Sequence, residues 1–318
     1  MNPSRFDLAR LPAGFHQHRF ALGDVGFTAY IWRGGDGPVL LVNGATHGDE
    51  YEGPAVLRQW VNAWRPPALR GTVVLVPVLN EAAFWAGRRC HPVDGGNLAR
   101  AFPGAPRGGP TARLAYLFEN QLLAQCTHYA DLHSAGAVKE LEPWVGYMLA
   151  ARGTNRTQRA MAACFDRFWC WAAPYLPRRT LSAAHRRRIP AIYVECRGAG
   201  GVDPRDLAAL DAGLRHLLGQ LGLAGSRPLR LRPQKCRIGR HARETHLQLH
   251  NRAGRDGMFQ PAVRLGQTVR RGELLGYLHD LARPGAVAVR AEGGGRVVTL
   301  RRQRSVRRGD SLAAVVRI

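Results

Sequence analysis

No stretch of the 318-residue chain approaches 18 consecutive apolar residues, so no membrane-spanning helix is expected. The first thirty residues lack an apolar h-region and carry Asp7, Arg10 and Asp24, which argues against a secretory signal. No CxxC pair occurs among the six cysteines, and a cysteine zinc site is not expected. Reduced thiols in a cytoplasmic protein are the expectation that follows. Lysine is nearly missing: Lys139 and Lys235 stand against 44 arginines. Acidic residues are also few, 23 against 46 basic, and the net charge is +23. Such a charge invites a nucleic-acid partner. The arginines, however, are spread along the chain, and a skew toward arginine is what GC-rich coding produces. A positive field that draws in small anionic substrates fits the same charge. A small anionic molecule, rather than nucleic acid or a membrane, is therefore the expected partner. Hydrophobic residues at 45% and charged residues at 22% are ordinary for a globular protein and exclude wholesale disorder, collagen and coiled coil.

What is present is an alternation of apolar runs and helical patterns. Residues 38–43 and 72–79 read as buried strands, with a helix over 54–61 between them that carries proline in its first turn. Residues 85–110, rich in Gly, Pro and Arg, predict a long functional loop. Residues 111–125 read as a helix and 127–132 as a strand ending at His133. A strand at 144–149, a helix at 154–171, a strand at 189–194 and a helix at 204–220 follow. This order predicts an α/β sheet with helices on both faces. Beyond a linker at Ser226-Arg227-Pro228 the pattern changes to short β-rich runs punctuated by glycine, a small all-β domain. The expected division is 1–225 and 226–318. Within the second part Val269-Arg-Arg-Gly-Glu-Leu-Leu275 resembles Val306-Arg-Arg-Gly-Asp-Ser-Leu312, which suggests two quasi-equivalent strand–turn–strand units.

Candidate chemistry begins at His47-Gly-Asp-Glu50. An imidazole and a carboxylate three apart on a tight loop or first helical turn suit two ligands of one metal ion. The spacing alone is weak, since chance supplies about 0.4 such pairs in a chain of this composition, and a second pair exists at His241 and Glu244. Context separates them. His47 follows the carboxyl end of an apolar strand, where α/β sheets place their sites. His241 lies in an arginine-rich stretch and reads as solvated surface. Asp131-Leu-His133 closes another strand-like run, and a neighbouring parallel strand would bring His133 beside His47 as a third ligand. Glu195 ends a third strand and is the candidate general base. Arg89 and Arg100 lie in the Gly/Pro loop, where arginine can bind a carboxylate or an oxyanion.

Together Asn43-Gly-x-x-His47-Gly-Asp-Glu50, Asn97-Leu-x-Arg100-x-Phe-Pro-Gly104, Asp131-Leu-His133 and Val194-Glu195 resemble the succinylglutamate desuccinylase/aspartoacylase family of the zinc-carboxypeptidase-like superfamily, over roughly residues 38–200. The resemblance implies a zinc-carboxypeptidase-like sheet and one zinc per chain held by His47, Glu50 and His133. It implies Glu195 as general base and proton shuttle, Arg89 polarising the acyl carbonyl, and Arg100 with Asn97 at a substrate carboxylate. Members commonly carry Asn-Arg where this chain has Ala99-Arg100, and Arg197 is the candidate to compensate. The implied activity is removal of an acyl group from an N-acyl amino acid or related small anionic amide. Ester or peptide cleavage at the same site, and a non-catalytic metal-binding or scaffold protein, are the alternatives. Leu265-Gly-x-x-Val269-x-x-Gly272-x-x-Leu275-Gly276 resembles a barrel-sandwich strand pair of the biotinyl/lipoyl type. No lysine follows Lys235, so covalent biotin or lipoate is excluded. A cap beside the active site or a subunit contact, hence a homo-oligomer, are the roles left open.

Overall fold

The computed structural model describes residues 6–66, 68–149, 154–224, 236–238 and 246–317. The linker expected at 226–228 and the second pair, His241 and Glu244, lie outside the described residues. In chain order the strands of the first part are β1 (Gly14–Leu22), β2 (Val25–Arg33), β3 (Val39–Asn43), β4 (Thr72–Val76), β5 (His128–Ser134), β6 (Lys139–Leu141), β7 (Trp144–Met148), β8 (Trp169–Ala173), β9 (Ala191–Cys196) and β10 (Cys236–Ile238). The helices are α1 (Glu52–Ala63), α2 (Glu81–Trp85), α3 (Pro110–Leu117), α4 (Asn155–Ala163), α5 (Thr180–Arg186) and α6 (Pro204–Gln220).

Nine of these strands form one sheet in the order β1-β2-β4-β3-β5-β9-β7-β8-β10. The block β4-β3-β5-β9 is parallel. β2 joins one side of it antiparallel and β7 the other. The expected mixed, mostly parallel sheet is present. Successive residues of the central strands feed opposite faces. Leu40 and Val42 pack with Trp60 of α1, Met161 of α4 and Leu214 of α6. Leu41 and Tyr129 pack with Leu114 of α3 and Ala184 of α5. Burial on both faces is why these strands read as unbroken apolar runs.

Several elements depart from the sequence reading, and α2, α5 and β6 have no assignment there. The β1–β2 hairpin carries no assignment in it, because β1 is an edge strand whose one fully covered side chain is Phe20. The helix predicted over 154–171 stops at Ala163, and the chain returns as β8 with Cys170, Trp171, Ala172 and Ala173 buried. A short apolar run covered on both faces has no period that separates strand from helix.

The remaining strands are β11 (Gly257–Pro261), β12 (Thr268–Val269), β13 (Leu274–His279), β14 (Ala286–Arg290), β15 (Gly295–Arg301), β16 (Ser305–Val306) and β17 (Ala313–Val316). They form two antiparallel sheets, β14-β13-β11-β16 and β12-β15-β17, around their own apolar core. The two similar segments are the turns β12–β13 and β16–β17, and they are built alike. Arg270 N donates to Glu273 Oε2 over 2.7 Å, and Arg307 N to Asp310 Oδ2 over 2.9 Å. Gly272 and Gly309 hold φ of 81° and 91°, a region open to glycine at little cost. Each turn carries the chain from one small sheet to the other. Two strands also cross position 225 in topology: β10 joins the large sheet, and β6 pairs with β15 of the small one. No helix of the described residues is long and apolar enough to cross a membrane.

Candidate active site

The parallel register brings three strand ends together. Asn43 of β3 lies opposite Asp131 of β5, and His133 lies opposite Glu195 of β9. After β3 the chain turns sharply into α1. Ala45 takes a φ of 48°, a conformation that non-glycine residues hold only where surroundings enforce it. Here Leu79 N and Asn80 N bond the carbonyls of Gly44 and Ala45. A Cβ on Gly48 would lie 2.0 Å from the Ala83 carbonyl carbon, so the loop passes this close only as glycine. The turn aims His47 and Glu50 inward, both buried.

His47 Nδ1 is 2.8 Å from Glu50 Oε1, and His133 Nδ1 is 2.8 Å from Glu50 Oε2. One ligand atom from each residue lies within 4.8 Å of the others. The remaining ring nitrogens are engaged behind: His47 Nε2 donates to Asn97 Oδ1 (3.1 Å) and His133 Nε2 to Asp131 Oδ2 (2.9 Å). Both Nδ1 atoms thus face Glu50, and with their protons gone the two imidazoles and the carboxylate would offer three donor atoms to one metal ion. Burial disfavours charge on Glu50, but the two imidazoles and their hydrogen bonds hold its carboxyl well below the usual range.

Asp131 is the hub beneath the site. It is fully buried and accepts from Asn43 Nδ2 (2.9 Å), Thr46 Oγ1 (3.0 Å) and Thr180 Oγ1 (2.6 Å) besides His133. Asn43 is itself fixed by the Tyr129 hydroxyl, 2.6 Å away. Burial opposes the Asp131 charge, yet His133 and these donors keep its carboxyl below the ordinary value. Asp131→Asn would place an NH2 against a ring N–H or a hydroxyl hydrogen and favour the His133 tautomer with Nδ1 protonated. The affinity of the triad for a metal ion is expected to fall about 10- to 100-fold, measured by competition with a chelating dye.

Glu195 lines the cavity in front of this group, and no described residue hydrogen-bonds its carboxylate. Burial pushes that carboxyl up to about 8, with Glu50 and Asp131 adding to the rise and His133 and Arg89 opposing it. Arg89 Nη1 lies 3.0 Å from Glu50 Oε1. Arg100 also lines the cavity, its guanidinium lowered to about 10 by burial and by Arg179 and Arg89 nearby. The cavity has a volume of about 660 Å³. Its charged lining is dominated by Arg89, Arg100, Lys139, Arg179, Arg252 and Arg301, against Asp49, Glu195 and Asp310.

Of the residues singled out in the sequence, His47, Glu50, His133, Glu195, Arg89, Asn97 and Arg100 meet here. Asn97 touches a histidine of the triad as well as the cavity. Arg197 is not among the residues that line this cavity. β9 ends at Cys196, the chain turns at Gly198, and the Arg197 guanidinium lies 3.5 Å from Asp203 at the start of α6, lining a different cavity. Arg179, Lys139 and the turn Gly309–Ser311 line the cavity without a role in the sequence reading, and Asp131, quoted there within the Asp131-Leu-His133 motif, had none either. Asp131 alone had a signal, its place two residues before a candidate ligand at a strand end.

A parallel-centred α/β sheet with a His-x-x-Glu pair and a distant histidine at its carboxyl edge defines the zinc-carboxypeptidase-like class. Residues 36–221 match the succinylglutamate desuccinylase/aspartoacylase catalytic domain, and the chain belongs to that family. It is 30% identical over 304 residues to the N-alpha-acetyl-L-2,4-diaminobutyric acid deacetylase of Halomonas elongata, covering 94% of this chain and 87% of that protein. Among solved structures, the product-bound ectoine utilization protein EutE (DoeB) of Ruegeria pomeroyi superposes with a TM-score of 0.85 at 26% identity, over 96% of this chain and 97% of that one. A succinylglutamate desuccinylase/aspartoacylase of Rhodobacter sphaeroides gives 0.86 at 26% identity, over 99% and 98%.

Proposed function

We propose that the protein is a zinc-dependent deacylase that hydrolyses the amide bond of an N-acyl amino acid or a related small anionic amide. The observation that carries this reading is the convergence of His47, Glu50 and His133 with Glu195 and Arg89 at the wall of a cationic cavity. Membership of a family of deacylases, and a relative named for deacetylating an N-acetyl amino acid, support it. Zinc, when bound by His47, Glu50 and His133, supplies a Lewis acid and lowers the pKa of water toward neutrality.

The remaining chemistry belongs to the chain. Glu195, held in the cavity wall with free oxygens, takes a proton from the attacking water and delivers it to the leaving nitrogen. Arg89 donates to the carbonyl oxygen as negative charge develops there. Arg100 holds a substrate carboxylate, and Asn97 keeps the His47 ring in register. Asp131 holds His133 in the tautomer that presents Nδ1.

Amine release from a panel of N-acetyl and N-succinyl amino acids by the zinc-loaded protein tests the reading. Turnover of at least one, abolished by a chelator and restored by zinc, is expected. A protein that binds one zinc per chain and hydrolyses none of the panel would overturn it.

A further inference from the structure

A chain that writes 44 of its 46 basic residues as arginine carries lysine at position 139, in the lining of the catalytic cavity. Lys139 opens β6, the short strand that pairs with β15. In that register it stands directly opposite Arg301, which is buried. Like charges directly opposed across an antiparallel ladder repel, and burial reduces the screening between them. One carboxylate serves the spot: Asp310 Oδ2 lies 2.8 Å from Arg301 Nη2. Arg301 also donates through Nε to the Gln303 carbonyl. Among the described residues no carboxylate comes within ion-pairing distance of the Lys139 ammonium, and Arg89 adds a further positive charge nearby. Burial first, then Arg301 and Arg89, lower the ammonium to about 8. The half-buried Lys139 beside a buried Arg301, with the one carboxylate of the spot already paired to Arg301, leaves an excess positive charge on a cavity wall, an arrangement that costs stability unless an anion arrives.

We infer that Lys139, in the field of Arg301, forms an anion subsite on the wall built by β6, β15 and the Gly309–Ser311 turn, and that it selects substrates bearing a second carboxylate besides the one at Arg100. The inference rests on the deacylase reading for the word substrate, but the subsite itself does not. Arg301 is tied to Asp310 and Gln303, so its contribution is the field. Lys139 provides the free donor, a compact ammonium with three N–H groups.

The test is calorimetric binding of succinate, glutarate and adipate, with butyrate as the single-charge control, to the zinc-loaded wild type, Lys139→Met, Lys139→Gln and Lys139→Arg. At least one dicarboxylate is expected to bind the wild type tenfold or more tighter than butyrate. Lys139→Met and Lys139→Gln should weaken that dicarboxylate about tenfold or more and leave butyrate within twofold, while Lys139→Arg retains part of the preference. Both neutral variants should melt no lower than the wild type, since a repulsion is removed. Equal dicarboxylate affinity in wild type and neutral variants overturns the subsite, as does an equal loss for butyrate. Binding is read without turnover. A protein that holds dicarboxylates through Lys139 yet hydrolyses no N-acyl amino acid therefore overturns the deacylase reading and leaves the subsite standing.

Discussion

Glu195→Gln is expected to lower kcat by at least two orders of magnitude while the protein keeps one zinc per chain. Gln matches Glu in shape, so the strand register that sets Glu195 opposite His133 is preserved. What disappears is the ability to take a proton. General-base catalysis is worth about 10²–10⁴ in rate, and Glu195 is the cavity carboxylate with no hydrogen-bond partner among the described residues. The carboxyl raised by burial toward neutrality is suited to both halves of the task, accepting a proton from water and returning it to the leaving group. Steady-state kinetics and elemental analysis on the same preparation decide the matter. A near-normal kcat would remove Glu195 from the role of base. Lost zinc would instead assign it to holding the metal.

Replacing either histidine of the triad should abolish stoichiometric zinc and, with it, activity. Two protein donors hold zinc far more weakly than three, and both Nδ1 atoms are turned toward the same carboxylate. The two variants should nevertheless differ in stability. Each substitution takes one imidazole from the buried Glu50 carboxylate, and His47→Ala frees in addition only the amide oxygen of Asn97. His133→Ala takes a partner from Asp131, a fully buried carboxylate, and an under-satisfied buried charge is among the strongly destabilising changes. The His133→Ala apoprotein should therefore melt below the His47→Ala apoprotein. Thermal melts in chelator, beside metal analysis, provide the check. Retained zinc in His133→Ala would mean that the third ligand lies elsewhere.

The sheet edge that carries the candidate site was legible as a place because three features coincide there. The central strands are covered on both faces and read as apolar runs. Their ends are marked by residues with metal or proton chemistry, and parallel order places those ends side by side. Where burial is one-sided or pairing is long-range, the sequence was silent. β1 spends polar and aromatic residues on an edge, β2 beside it is largely buried and was left without an assignment, and β8 shares its composition with a buried helix turn. Arg197 follows Glu195 in sequence but not in space, since the strand ends between them. Asn97 shows how far motif reading goes: it finds the residue, while the contact with His47 depends on how a long loop folds back. The wall made by Lys139, Arg301 and Asp310 joins three segments more than a hundred residues apart in sequence at its widest. No local pattern announces it.

The β6–β15 pairing has a consequence for how such a protein can change. The residues proposed for bond cleavage sit at the strand ends of the large sheet, whereas Thr299, Arg301 and the Gly309–Ser311 turn of the small sheets line the same cavity. On the proposed reading, reaction and discrimination thus reside on different scaffolds, stitched by the β6–β15 pairing, by the apolar cluster of Leu141, Trp144, Trp171, Leu247, Val298 and Val316, and by the Glu142–Arg296 ion pair. Drift in the second turn can re-aim selectivity while the hydrolytic centre stays intact. The stitch also bars the two parts from separate careers: excising the small sheets would strip β6 of its partner and leave the cavity without a side.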